Sequence, residues 1–314
     1  MPAITPDLKR VCSLSNLRKA WNRINSSRKY DYKNYFRHLY KSYEISLEDN
    51  LRSIRERLKS GTYKPSHAVK IYLPKKSGLL RVFSLLSVED QIVYQAFGNI
   101  VAENLSSKAR AHYNSNNFGH HFAGVHSEFF FKPWEIGYNK FKSEFKKSFR
   151  AGLIYTATFD YTAFYDTVDH SVLSHLLEDL RFTPEFCQNI IEYLKYWTCT
   201  EPCEAKYHSH GIPQGPLTSG IFGEVMLTYV DTTFCKGPQP YRYMRYVDDI
   251  RILSVDELGV KKAVMRLDIL SKRIGLFPQA SKLSLHKITD IDSELKNVSN
   301  IGELNVIKEK ILAT

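Results

Sequence analysis

Tyr246-Val247-Asp248-Asp249, set between Tyr243-Met244-Arg245 and Ile250-Arg251-Ile252-Leu253, constrains the fold of this chain more than any other stretch. Both flanks are short and β-prone, so the spacing predicts a hairpin with the acidic doublet as its tight turn. Two carboxylates then project from a tip that an apolar core would not choose. Oxygen ligands gathered at one point suit a hard cation such as Mg2+, and a pair of such ions clamps the attacking and leaving oxygens of a phosphoryl transfer. Aspartate is also a common turn former, so the doublet alone reads more simply as an ordinary turn. The functional reading needs a partner carboxylate.

The candidate partner lies upstream in Tyr155-Thr156-Ala157-Thr158-Phe159-Asp160. The β-prone run over 156–159 stops at Asp160, which predicts that carboxylate at a strand end. Val168-Asp169-His170 then opens an amphipathic helix whose stripe is Leu173, Leu176, Leu177 and Leu180. Asp169 reads as its N-cap, and Asp166 as a turn or ion-pair residue.

Between the acidic sites runs Gly211-Ile212-Pro213-Gln214-Gly215-Pro216-Leu217-Thr218-Ser219-Gly220, followed by an apolar run from Ile221 to Val230. Glycine and proline around a single glutamine let the backbone approach a flat ligand, and the apolar run reads as a buried helix. Such a loop could read a base pair by shape.

In this order, the strand end at Asp160, the Gly211–Gly215 loop with Ser219, and Tyr246-Val247-Asp248-Asp249 resemble motifs A, B and C of the polymerase palm in reverse transcriptases. Tyr72-Leu73-Pro74-Lys75-Lys76-Ser77-Gly78-Leu79-Leu80-Arg81-Val82, with Val88-Glu89-Asp90-Gln91-Ile92-Val93, resembles the fingers of that family, and Gly275-Leu276 with Lys282 resembles motif D. The resemblance runs from about Tyr63 to Lys282. Its texture is closest to bacterial enzymes of the retron, group II intron and defence-associated branches. Arg245, Glu224 and Asp231 look most like the defence-associated and abortive-infection enzymes. Retron enzymes usually carry alanine in the second position of the doublet motif and a Val-Thr-Gly signature, and group II intron enzymes carry long extensions; this sequence shows neither.

The resemblance implies an α+β right-hand polymerase: fingers and palm, a helical basic N-terminal region, and a thumb reduced or absent. It implies two Mg2+ ions, with Mn2+ able to substitute, held by Asp160, Asp248, Asp249 and the backbone carbonyl of Tyr161. Carboxylates that close should raise one another's pKa until metal binds. Tyr165, five residues after Asp160, stands where the family carries an aromatic steric gate that excludes a 2′ hydroxyl. By the same resemblance Lys75, Lys76 and Arg81 grip the triphosphate, Tyr161, Gln214 and Gly215 line the substrate, and Lys282 is the acid for departing pyrophosphate. The implied activity is RNA-directed DNA synthesis from dNTPs in antiphage defence. Its partners would be an RNA template or noncoding RNA, the DNA product, and a protein subunit or a second copy. The alternatives are template-independent or protein-primed synthesis, an RNA polymerase, and an RNA-binding pseudopolymerase scaffold. Tyr165 argues against an RNA polymerase, and the intact carboxylates argue against a scaffold.

Charge agrees with a polyanionic partner: 44 Lys and Arg against 33 Asp and Glu give a net +11. Five cysteines in no framework spacing read as reduced thiols of a cytosol. Cys199, Cys203, His208 and His210 could ligate zinc in principle, but at a spacing that matches no common finger. No secretory leader and no run of about 20 apolar residues is found, so the expectation is a soluble cytoplasmic protein with no membrane partner.

The organisation expected is a helical basic region over 1–62, fingers over 63–150, palm over 151–285 and a short tail over 286–314. In the first region Ser46 and Asp49 read as a capping box, Leu47, Leu51, Ile54 and Leu58 as a stripe, and Gly61 as a stop. Arg52, Arg55, Arg57 and Lys59 lie mostly off that stripe, on a face that is either solvated or turned to RNA. The rings between Lys132 and Arg150 read mostly as core. Only 314 − 282 = 32 residues follow Lys282, too few for three helices of about 11 residues with their loops. Duplex retention is therefore expected from a partner, and synthesis is expected to be short and salt-sensitive.

Overall fold

The computed structural model describes residues 4–26, 34–74, 78–199 and 209–295. Among the described residues four helices come first: α1 (Pro6–Val11), α2 (Leu14–Asn25), α3 (Arg37–Ile45) and α4 (Leu47–Lys59). On α4 the predicted stripe forms, with Leu51 and Ile54 buried and Leu47 and Leu58 packed against the core. Gly61 stops it at φ +69, a left-handed conformation that glycine adopts freely, while Thr62 N returns to Arg57 O at 2.9 Å.

The Ser46–Asp49 capping box does not form. Ser46 is the C-cap of α3 as well as the N-cap of α4, and at φ −118, ψ 36 its hydroxyl makes no capping bond. An N-cap needs an extended backbone to aim its oxygen at the first turn. Arg57 also departs from the off-stripe basic face. Its Nη2 donates to both oxygens of Glu89 at 2.8 and 2.7 Å and ties α4 to the next helix.

Strands β1 (Val69–Pro74) and β2 (Leu80–Leu85) pair antiparallel, from Val69 opposite Leu85 to Pro74 opposite Leu80. Lys75 and Lys76 lie outside the described residues. A lone two-stranded hairpin is marginal in water, and this one is anchored at its base. Lys70 Nζ donates to Ser84 Oγ at 2.7 Å and to Trp197 O at 2.8 Å, and Ser84 N donates to Gln214 O at 2.8 Å.

Helix α5 (Val88–Ala109) is buried on nearly all sides, and α6 (Trp134–Arg150) buries Tyr138, Phe141 and Phe145 but exposes Trp134. Then come β3 (Tyr155–Phe159), α7 (Phe164–Thr167), α8 (His170–Asp179), α9 (Pro184–Thr198), α10 (Thr218–Phe234), β4 (Tyr241–Tyr246), β5 (Asp249–Ser254), α11 (Glu257–Arg273) and β6 (Ser284–Lys287). The four strands β3 to β6 form one antiparallel sheet in the order β4-β5-β3-β6. Alternation along the strands separates two cores. Tyr243, Ile250 and Ile252 face the large core shared with α10 and α11, whereas Met244, Tyr246 and Leu253 face a second one built with α6, Ile288 and Leu295. Mixed helix and sheet with this palm-like arrangement is the fold class that the motifs predict. Residues 291–295 are helical, and the rest of the tail lies outside the described residues.

Candidate active site

Antiparallel pairing sets Phe159 opposite Ile250, so one step further the strand-end Asp160 faces Asp249. The turn differs from the sequence expectation by one residue. Tyr246 pairs with Asp249, which has joined β5, and the two-residue loop is therefore Val247-Asp248. Only Asp248 projects from the tip. Val247 takes φ +56, the positive angle that a tight hairpin needs at its first turn position. A β-branched residue held there is strained by roughly 1–3 kcal/mol and persists only where the surroundings over-determine it.

Burial and repulsion both act on the carboxyls. Asp248 is pushed up to about 6, by burial first and then by Asp160 and Asp249. Asp249 is also raised by burial, with Arg251 opposing and Asp160 adding. The mutual repulsion expected from sequence is thus present, as the smaller cause. Lys282 answers it by donating from Nζ to Asp160 Oδ2. The turn carrying Lys282 is fastened to the same strand end, with Gln279 N donating to Asp160 O and Thr162 N to Phe277 O, both at 2.8 Å. Tyr161 buries its ring and pairs its hydroxyl with Ser271 Oγ at 3.0 Å, which leaves its backbone carbonyl as the atom it can offer.

Among the described residues no group of three or more acidic, histidine or cysteine side chains is gathered to hold a metal ion. The donor set is open instead: oxygens from a strand end and a turn, with an ammonium already drawn onto one of them. That suits Mg2+, which keeps waters and substrate phosphates in its shell and takes only one or two carboxylates. The residues fit such an ion.

The Gly211–Gly220 loop lies along 165–168. Gly211 N donates to Val168 O at 2.7 Å and Ile212 N to Tyr165 O at 2.8 Å, with Gly211 and Gly215 at φ +99 and +126. Ser219 Oγ donates to Pro213 O and folds the loop over the start of α10. Gln214, half-buried, receives the bond from the β1–β2 hairpin. Tyr165 is half-buried edge-on to Phe164, with ring centroids 5.5 Å apart. Burial raises its hydroxyl pKa, Asp248 and Glu224 add, and Arg81 opposes, so Tyr165 lies within electrostatic reach of both the acidic turn and the hairpin.

Asp169 caps α8 as expected, its Oδ1 accepting from Ser171 N and Val172 N at 2.8 and 2.9 Å. Of the zinc candidates, Cys199 is buried and His210 Nδ1 pairs with Asp166 O at 2.8 Å. Cys203 and His208 lie outside the described residues.

Two arginines gain roles that the sequence reading missed. Arg251 Nε stands 3.5 Å from Asp249 Oδ1, and its Nη1 reaches Glu294 Oε1 at 3.3 Å, while Glu294 Oε2 pairs with His286 Nε2 at 2.9 Å. The i, i+2 spacing of Asp249 and Arg251 on one strand face was a readable signal; Glu294 was not. Arg245 is buried between Glu224 and Asp231 of α10, at 2.8 and 2.7 Å.

An antiparallel sheet flanked by helices, carrying carboxylates at one strand end and the adjacent hairpin, is the palm of a nucleotide polymerase. The family model for reverse transcriptase (RNA-dependent DNA polymerase) matches residues 73–296, and the chain belongs to that family of nucleotidyltransferases. No curated protein matches the sequence. Among solved structures, telomerase from Candida albicans in complex with a TWJ fragment of telomeric RNA aligns with TM-score 0.51 and 16% identity over 74% of this chain and 44% of that one. Apo telomerase from Candida tropicalis aligns with TM-score 0.52 and 12% identity over 71% and 45%. A form of it truncated from the C-terminal domain aligns with TM-score 0.51 and 16% identity over 72% and 51%. At these identities the likeness is one of fold. The chain spans about half the length of those telomerase chains. Among the described residues no helix is long and apolar enough to cross a membrane.

Proposed function

We propose that this chain extends a DNA strand from dNTPs on an RNA template, with Asp160, Asp248, Asp249 and the Tyr161 carbonyl as the Mg2+ ligands. The single observation that carries the reading is the meeting of strand-end Asp160 with Asp248 and Asp249 of the hairpin, beside Tyr165 and the Gly211–Gly220 loop. When bound, Mg2+ or Mn2+ supplies charge neutralisation for in-line attack on the α-phosphate. The chain's own groups do the rest. Tyr165 excludes a 2′ hydroxyl, Gln214 and Gly215 line the nascent base pair, Arg81 with Lys75 and Lys76 binds the triphosphate, and Lys282 protonates the departing pyrophosphate.

In this reading residues 63–150 serve as fingers and 151–285 as palm, while the basic helices over 1–62 hold an RNA template or noncoding RNA with help from a protein subunit or a second copy. The antiphage role rests on the sequence texture around Arg245 and is tested by phage plating on cells carrying wild-type or Asp248→Asn protein. The activity itself is tested by primer extension on RNA with Mg2+ and each of dNTPs and rNTPs. Deoxynucleotide incorporation by the wild type and none by Asp248→Asn is the expected pattern; equal activity of the two refutes the site.

A further inference from the structure

We propose that Arg245 is a positioning residue for the metal-facing turn: clamped between Glu224 and Asp231, its guanidinium holds the Val247 carbonyl, and with it the left-handed backbone that aims Asp248. This rests on the site reading given above.

Alternation along β4 turns Tyr243 and Arg245 toward α10. Glu224 and Asp231 stand seven residues apart on that helix, about two turns, and so share one face. Arg245 Nη1 and Nη2 donate to the Glu224 oxygens at 2.9 and 2.8 Å, and Nε and Nη2 donate to Asp231 at 2.8 and 2.7 Å. The remaining Nη1 proton goes to Val247 O at 3.2 Å. A guanidinium has five N–H donors in a rigid fork, and these five bonds use all of them. The acids are capped in turn, Glu224 by Asn117 Nδ2 and Asp231 by the Tyr243 hydroxyl, each at 2.9 Å. His120, 3.9 Å from Glu224, is held neutral by burial.

Stability is a poor reason for such a triad, because desolvation cancels most of the attraction and apolar replacements are often as stable. Geometry is a better one. Asn117 also accepts from Gly119 N at 2.9 Å, and Gly119 packs so tightly on the turn that an added Cβ would lie 2.6 Å from Val247 N. The clamp therefore fixes Val247 from its carbonyl directly and from its amide side through Asn117 and Gly119. Without those restraints a β-branched residue relaxes to negative φ, and Asp248 turns away from Asp160.

The test is a cycle of variants read by calorimetric Mg2+ titration without nucleotide and by primer extension. A neutral clamp, Glu224→Gln with Asp231→Asn and Arg245→Met, should fold and bind Mg2+ about 10–100-fold more weakly, the usual effect of losing the support behind a ligand. Adding Val247→Gly, which needs no clamp to reach positive φ, should recover about tenfold in that background and nothing in the wild type. A scaffold role alone gives no such rescue, so loss without recovery overturns the proposal, as does wild-type Mg2+ affinity in the neutral clamp. Should the triple variant fail to fold, Arg245→Lys serves: its single ammonium cannot span both acids and the Val247 carbonyl, and unchanged Mg2+ affinity there overturns the proposal equally. Wild-type protein that binds Mg2+ but incorporates nothing refutes the polymerase reading and leaves the clamp standing.

Discussion

The ammonium of Lys282 rests on Oδ2 of Asp160, a pair separated by 122 positions in sequence. Lys282 is largely exposed and Asp160 is not, so the lysine comes to the carboxylate. In the function proposed above, a divalent ion taking up Asp160 displaces this lysine and frees it to act as the proton donor to pyrophosphate. Lys282→Met should therefore tighten apparent Mg2+ binding about two- to fivefold while lowering the maximal rate by about 10–100-fold. A Mg2+ titration of steady-state incorporation separates the two effects. Weaker Mg2+ binding in the variant contradicts the competition, and an unchanged maximum contradicts the acid role.

Asp248 carries a pH signature. Its pKa in the fold is about 6 against an ordinary 3.8, so the stability it contributes is complete below about 3.8 and is lost as pH rises through 6. Asp248→Asn should then melt higher than wild type in EDTA at pH 7.5, by an amount of the order of 1–2 kcal/mol, and the gap should close toward pH 4. Mg2+ affinity runs the other way, falling as pH drops below 6 because the ligand must first shed its proton. Thermal melts at four pH values decide it: parallel curves for the two proteins refute the assignment.

Tyr165→Ala should raise ribonucleotide use relative to deoxynucleotide use by about 10–100-fold, since a gate acts by exclusion and not by contact with the favoured sugar. Competition between matched dNTP and rNTP measures the ratio. An unchanged ratio assigns Tyr165 to packing against Phe164.

Gly119→Ala should damage the site more than the fold. Its Cβ would meet Val247 N at 2.6 Å and Val247 Cγ2 at 2.7 Å, and a backbone atom cannot swing aside. The expected loss is about 1–3 kcal/mol in stability with about 100-fold in rate. Gly152→Ala is the control, since its Cβ meets nothing within 4 Å and its only strain is φ +92. Melting and primer extension on both variants check the contrast; equal rates would show that Gly119 does not set the turn.

Much of this was legible along the chain because its causes are local. Strand-ending Asp160, the Asp169 cap, the stop at Gly61, the Leu51 and Ile54 stripe and the buried helix after Ser219 all follow from backbone preference and side-chain period over a few residues. The order of motifs then named the family. Tertiary structure decided the rest. Pairing of Tyr246 with Asp249 moved the turn onto Val247, and the meeting of two helices at Ser46 removed its cap. Arg245, Glu224 and Asp231 were visible only as texture until β4 packed on α10 and made them a clamp, and Lys282 met Asp160 only when its turn was fastened to the end of β3. Sequence carries the type and spacing of charges within an element, but an ion pair forms between elements, and its partners are chosen by the register and packing that bring those elements together.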